Sequence, residues 1–231
     1  MASFLCGDQI GEWHLVILAI DTSSSTLSVA VFEGRVLAET SWLAGRNHSK
    51  ALIREIHRSL GLASLDRTRL GAIALASGPG SYSGLRVGAS VAIGLALALS
   101  LEIVHVPTLE IIAYGAPSDG RPVRAAIEIG RGRYASARFR CEGDRTTQET
   151  DLASDNLADL LALATSEHAA LAVDLPPDVR RGLRENGGEV PLFSVAGNFR
   201  RAGYLAEIAE QRMLNGRGAG ETGAQLIYLP G

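Results

Sequence analysis

The 231-residue sequence predicts an α/β fold in which one unit, three antiparallel strands followed by helix, strand and helix, occurs twice, shortened the second time. Three observations carry this reading. Short apolar runs from Leu15 to Ile20, Leu27 to Phe32 and Val36 to Trp42 are divided by polar turns at Asp21 to Thr26 and Glu33 to Arg35, the signature of a strand meander. Gly71 to Ala76 is a short apolar run suited to a buried strand, and it passes through a glycine-rich turn into a helix that is apolar at nearly every position, Gly84 to Leu101. After a Gly-, Pro-, Ser- and Asp-rich stretch, Gly115 to Pro122, paired strands, a helix and a strand return in the same order.

Residues 1–13 read as a loose extension, with no basic start and no sustained apolar core that would mark a signal peptide. The first lobe then spans 14–114. Asn47 caps a helix to Gly61 that carries Leu52, Ile53, Ile56 and Leu60 on one face and Arg46, Lys50, Arg54 and Arg58 with Glu55 on the other. Ile103 to Val106 is the next strand, and Pro107-Thr108 opens a helix to Tyr114. The second, smaller lobe spans 115–231. Val123 to Ile129 and Arg133 to Phe139 flank the hairpin turn Gly130-Arg131-Gly132. They are followed by a helix (Asp155 to Ala164), a strand (Ala169 to Asp174), a short helix (Pro177 to Glu185), a strand (Val190 to Val195) and an amphipathic helix (Arg200 to Leu214). Leu226 to Leu229 reads as a terminal apolar anchor after a flexible stretch, Gly216 to Gly223.

Composition narrows the functions. A net charge of −3 provides no basic face for nucleic acid. Lys50 is the only lysine, which excludes a Walker lysine and confines any amine chemistry to that residue. Cys6 and Cys141 fit neither a zinc spacing nor a disulfide framework, and the cytoplasm follows by default. His48 and His57 are nine residues apart with no carboxylate as a third ligand, so both read as partly exposed helix residues and no metal site is expected. Only about fifteen uncharged residues separate Arg86 from Glu102, fewer than the ~20 that a bilayer span needs.

Two loops can carry chemistry. A strand, the turn at Gly78, Gly80 and Ser81, and a helix N-terminus together make an anion site, although a tight turn with a good cap accounts for the same residues. Asp21, Thr22 and Ser23 sit in the first hairpin, either as a functional carboxylate with hydroxyls or as an Asx turn satisfying its own backbone. The long apolar helix needs cover on every side, from the second lobe or from another chain. Its stripe of Gly84, Gly88 and Ala92 allows close approach. Arg86 opposes the dipole of the first turn and is read as a structural ion pair near the lobe junction.

The sequence resembles one family closely. Ile17 to Ser23, Asn47-His48-Ser49 opening a helix, Ser77-Gly78-Pro79-Gly80-Ser81-Tyr82-Ser83-Gly84-Leu85-Arg86-Val87-Gly88, Ala92 to Ala96 and Val106 to Leu109 together match the TsaB (YeaZ) family of the actin-like ATPase (ASKHA) superfamily. The match covers residues 16 to 114 and is loose beyond. The resemblance implies two RNase H-like lobes with the second reduced, and a scaffold in place of an enzyme. Such chains serve threonylcarbamoylation of the adenosine following the anticodon in ANN-decoding tRNAs. They pair with a catalytic TsaD subunit of the same fold, on which a TsaE ATPase acts, and they form homodimers when TsaD is absent. The resemblance also implies a pairing surface on the two first-lobe helices, here Leu52, Ile53, Ile56, Leu60, Tyr82, Leu85, Gly88, Val91, Ala92 and Leu95. Nucleotide-type loops at Asp21, Thr22, Ser23, Gly78, Gly80 and Ser81 would be degenerate, with no cofactor, no membrane and tRNA reached only through partners. Two stretches depart from the family: Glu128 to Arg131 where an Asp-Ala-Arg-like turn is usual, and the tail Tyr228 to Gly231.

The residues disfavour two rivals. A sugar-kinase-like ATPase needs acidic metal ligands from both lobes, whereas the first offers Asp21 and the second only Glu128. A metallopeptidase of the zincin type needs His-Glu-x-x-His, which is absent. A homodimeric binding module unrelated to tRNA fits the composition alone.

Overall fold

A computed structural model describes residues 15–44, 48–116, 119–143, 145–175, 177–185, 192, 196–216 and 227. The expected N-terminal extension, the Asn47 cap, and most of the strand at 190–195 and of the C-terminal tail lie outside these residues.

The first sheet is built from β1 (Ile17–Asp21), β2 (Thr26–Phe32), β3 (Val36–Leu43), β4 (Ala72–Ala76) and β5 (Glu102–Val106), in the order β3-β2-β1-β4-β5. β1, β2 and β3 form the antiparallel meander, whereas β4 and β5 run parallel to β1. Side chains alternate across a strand, and here the alternation sorts them by size. Leu18, Ile20, Val29, Val31, Ile73 and Leu75 face α1 (His48–Leu62) and α2 (Tyr82–Leu99). Ile17, Ala19, Ala30, Ala72, Ala74 and Ala76 face the other way, towards α3 (Thr108–Tyr114) and α6 (Ala202–Leu214).

The second sheet holds β6 (Val123–Gly130), β7 (Arg133–Glu142), β8 (Arg145–Gln148), β9 (Ala153–Asn156) and β10 (Ala170–Ala172). β10 is parallel to β6, and Leu192 bridges Leu171 on its far side. The third position of the unit is shared by two short strands, with β9 pairing the start of β7 and β8 pairing its end. The predicted helix from Asp155 therefore begins two residues later as α4 (Leu157–Ser166), with Asn156 accepting from the Asp159 N–H as its cap. With α5 (Pro177–Glu185), α4 covers the outer face of this sheet through Leu160, Ala164 and Val179. α3 lies between the sheets: Ile111 packs on the first, and Leu109 and Ala113 on the second.

By chain order the last helix belongs to the second lobe, yet α6 lies on the first sheet. Its unpaired N-terminal N–H groups explain the docking. Ala202 N–H donates to Ser28 Oγ (2.8 Å) and Gly203 N–H to Glu39 Oε1 (2.9 Å), while Arg201 pairs with Glu39. Ala202, Ala206 and Ala209 then meet the alanine face of the sheet.

α2 is the crossover between parallel β4 and β5. Six of its 18 residues are buried: Gly84, Leu85, Gly88, Ala89, Ala92 and Ala96. It is long and apolar enough to cross a membrane by length and composition, but here it lies along the sheet. Of the two kinds of cover the sequence allows, the second lobe does not supply it: one stripe docks on the first sheet, the flanks are half-buried and the rest of the helix is left exposed by its own chain. The stripe faces the chain itself. A Cβ at Gly84 would stand 2.2 Å from the Thr22 carbonyl oxygen, and one at Gly88 would stand 2.2 Å from Thr22 Oγ1. At Gly94, on the outer side, a Cβ would meet nothing within 4 Å. Gly84→Ala is therefore expected to cost about 1–3 kcal/mol of stability, and Gly94→Ala to add about 0.5–1 kcal/mol. Urea unfolding of the two variants checks the pair.

Candidate functional site and partner face

The Asp21 to Thr26 hairpin and the glycine-rich turn meet at one end of the first sheet. Asp21 is fully buried at the end of β1. Its Oδ1 accepts from Ser23 N (3.0 Å) and Ser23 Oγ (2.6 Å), the Asx turn that the sequence allows. Its Oδ2 is held by the guanidinium of Arg200, itself only 5% exposed, and Arg200 Nη2 also donates to Ser23 Oγ at 3.2 Å. Thr22 Oγ1 donates to the Gly84 carbonyl (2.8 Å), fastening the hairpin to the first turn of α2. Arg200 was not singled out by the sequence. The one signal was a pair of arginines just before an amphipathic helix, which does not distinguish a buried cation from a solvated one.

The glycine turn uses much of its donor capacity internally. Ser77 N donates to Val106 O (2.9 Å), Gly78 N to Thr108 Oγ1 (3.2 Å), Ser81 N to Ser23 O (2.7 Å) and Gly84 N to Ser81 Oγ (3.3 Å). Ser81 is thus the cap of α2. Ile227 N donates to Ser77 O (2.7 Å), so the tail's anchor residue lies against the turn. Gly78 sits at φ +100 with the Ile227 carbonyl beside it, a backbone state and a clearance that suit glycine alone. The geometry favours the tight, capped turn over an anion cradle.

The space between the lobes at this end is small. One pocket lined by Ser24, Ile127, Asp174, Asn198 and Arg200 has a volume of about 20 Å³, as has its neighbour lined by Ile112, Ala172, Phe199 and Arg200. Each holds about one water, whereas ligand pockets run to several hundred Å³. Asp174, at the second lobe's edge of this junction, was not anticipated either. Burial pushes its carboxyl above the usual range, with Arg200 and then Arg180 pulling it back. Glu128, the acid expected from the second lobe, is exposed. Among the described residues no three His, Cys, Asp or Glu side chains gather as a metal site would require.

Of the expected pairing residues, Leu52, Ile56, Leu60, Leu85, Gly88 and Ala92 are buried within the first lobe, where they pack α1 and α2 onto the sheet. They cannot meet a partner, because the periodicity that marks an apolar face marks the face turned inward. Ile53 and Tyr82 are each 60% exposed, and Val91 and Leu95 are half-buried. Leu62 and Leu97, at 62% and 72%, were missed and are exposed on the same two helices. Arg86 makes no ion pair among the described residues. It lies over the Tyr82 ring (5.4 Å) and donates to the Tyr82 hydroxyl (3.1 Å), on the exposed side of α2.

The TsaD family, tRNA N6-adenosine threonylcarbamoyltransferase, matches residues 41–198, well over half of the chain. The chain belongs to this family. It is 35% identical over 103 residues to the Haemophilus influenzae tRNA threonylcarbamoyladenosine biosynthesis protein TsaB, covering 45% of this chain and 44% of that one. To the Bacillus subtilis TsaB it is 39% identical over 100 residues (43% and 44%), and to the Escherichia coli TsaB 33% over 125 residues (53% and 54%). The matches therefore span about half the length of these curated relatives. In fold the chain is similar to YeaZ from Pseudomonas aeruginosa, with a TM-score of 0.74 at 24% identity over 93% of this chain and all of that one. The two-sheet α/β fold is thus shared with that structure.

A measurable consequence attaches to the turn. Thr108→Val leaves the buried Gly78 N–H without its acceptor and is expected to cost about 1–3 kcal/mol in urea unfolding.

Proposed function

We propose that this chain is a non-catalytic subunit in formation of threonylcarbamoyladenosine on tRNA, joining a TsaD-like catalytic subunit through the outer face of α1 and α2. The observation that carries the reading is that face. Ile53 and Leu62 on α1 and Tyr82 and Leu97 on α2 are exposed, and Val87, Val91, Ile93, Leu95 and Leu99 are half-buried, on two helices whose inner faces are already used. Large apolar residues left outside on two neighbouring helices of a well-packed lobe favour a protein-binding surface. The family's curated members named for this biosynthesis supply the pathway.

In the absence of that subunit the same face joins two copies of the chain. A TsaE-like ATPase acts on the assembled pair, in the cytoplasm, and tRNA is reached through the partners, consistent with the net charge of −3. The chain needs no cofactor of its own. The internal use of the Asp21 carboxylate and of the turn's N–H groups supports the absence of turnover, as does the space beside Asp21 and Arg200, which has room for little more than water.

Replacing Leu97 or Ile53 by Asp is expected to weaken association with the TsaD-like subunit of the same organism by ~10-fold or more, since a carboxylate at the centre of an apolar contact loses its water. The melting temperature is expected to stay near that of the unaltered chain. Unchanged affinity in both variants, measured by titration calorimetry, overturns the assignment of the face. Purified chain with Mg-ATP is expected to release phosphate at the buffer rate. A rate above it that disappears in Asp21→Asn would instead favour an ATPase.

A further inference from the structure

We propose that Arg200 is a built-in cation that locks the junction between the two lobes, so that their relative setting is fixed by the chain itself without any bound ligand.

Asp21 is fully buried and Arg200 95% so, and a carboxylate withdrawn from water needs a compensating charge as well as hydrogen bonds. The two bonds from Ser23 come from neutral groups and engage Oδ1 alone. The charge comes from Arg200, 179 residues away in sequence, which takes Oδ2 and then Ser23 Oγ. The side chain is covered from the other side as well. Ala126 and Ile127 in the middle of β6, with Val173 and Asp174 just past the end of β10, line a small pocket together with Arg200. The charge of Arg200 offsets part of the upward push that burial gives the Asp174 carboxyl. Arg200 is thus buried between the Asp21 carboxylate and residues of the second lobe, with exposed Asp174 at the rim.

The backbone is pinned close by. Arg201 pairs with Glu39, and the Ala202 and Gly203 N–H groups are taken by Ser28 and Glu39, so the segment carrying Arg200 has no slack towards the first lobe. Separating the lobes would require either drawing the guanidinium out of the Asp21 pair or stripping Val173 and Asp174 from around its stem. The first leaves a buried charge uncompensated, and the second exposes the buried stem and its apolar neighbours to water. This lock does not depend on the partner reading, because none of its residues belongs to α1 or α2.

The test uses the whole chain and four variants: Arg200→Met, Asp21→Asn, these two combined, and Arg200→Ala. Breaking a buried pair from one side is expected to lower the melting temperature by about 6–20 °C in each single variant, and removing both charges to recover at least half of that loss. Amide exchange is expected to quicken together at Asp21 to Ser25 and at Val173 to Leu175 in Arg200→Met, and to stay unchanged at Val36 to Leu43. Ethylguanidinium at millimolar concentration is expected to raise the melting temperature of Arg200→Ala, and sodium chloride at equal ionic strength is not. Additive losses in the combined variant overturn the proposal. So does faster exchange confined to Asp21 to Ser25, which would make Arg200 a local partner of that turn. Where a single variant fails to fold, the combined variant decides. A combined variant that folds with the native exchange pattern restored at both stretches supports the lock, and one that does not fold overturns it.

Discussion

The first sheet is buried on both faces, and the unequal sizes of the side chains on those faces constrain everything around it. Large residues at Leu18, Ile20, Val29, Val31, Ile73 and Leu75 hold α1 and α2 at full side-chain distance, whereas the alanines on the reverse let α6 and the end of α3 come close. Close packing of this kind tolerates few substitutions, because a single added methylene has no space to enter. The same economy appears at the edge of the sheet. Thr22 reaches into the bare stripe of α2, where Gly84 and Gly88 have no side chain to obstruct it. That contact sets the depth at which α2 lies, and with it which of its residues remain outside.

Docking α2 by a narrow stripe has a functional consequence. α2 rests on Gly84, Leu85, Gly88, Ala89, Ala92 and Ala96 and leaves Tyr82 and Leu97 exposed among Ser83, Arg86, Ser90 and Gly94, while Val87, Val91, Ile93, Leu95 and Leu99 are half-buried along its flanks. The narrow inner stripe leaves those apolar flanks only partly covered by the chain itself. Tyr82 and Arg86, stacked at the start of the helix, lie on its exposed side.

Much of the fold was legible in the residues. Period-two alternation located the strands of the first lobe, and the strand, glycine turn and apolar helix located the crossover. The return of the same order after Gly115 foretold the second sheet, although β8 and β9 went unread because four-residue strands with polar alternation resemble loops. The pairing surface was legible only in part. Leu52, Ile56, Leu60 and Leu85 have the spacing of an apolar face, but spacing cannot say whether that face looks at a sheet or at a partner. Leu62 and Leu97 fell outside the pattern for the same reason, since exposed apolar residues follow no internal periodicity.

By itself the sequence determined the two-unit α/β plan, the capped glycine turn at Ser77 to Ser81 and the family, because each is written in local spacing and in residues that only one backbone state accepts. Tertiary structure alone decided that α6 returns to the first lobe, that the glycine stripe receives Thr22, that Arg86 stacks on Tyr82 and that Arg200 neutralises Asp21. These pairings join residues far apart in the chain. What selects them is the cost of leaving a buried carboxylate, a helix N-terminus or a bare backbone without a neighbour, and that cost exists only once the core has closed.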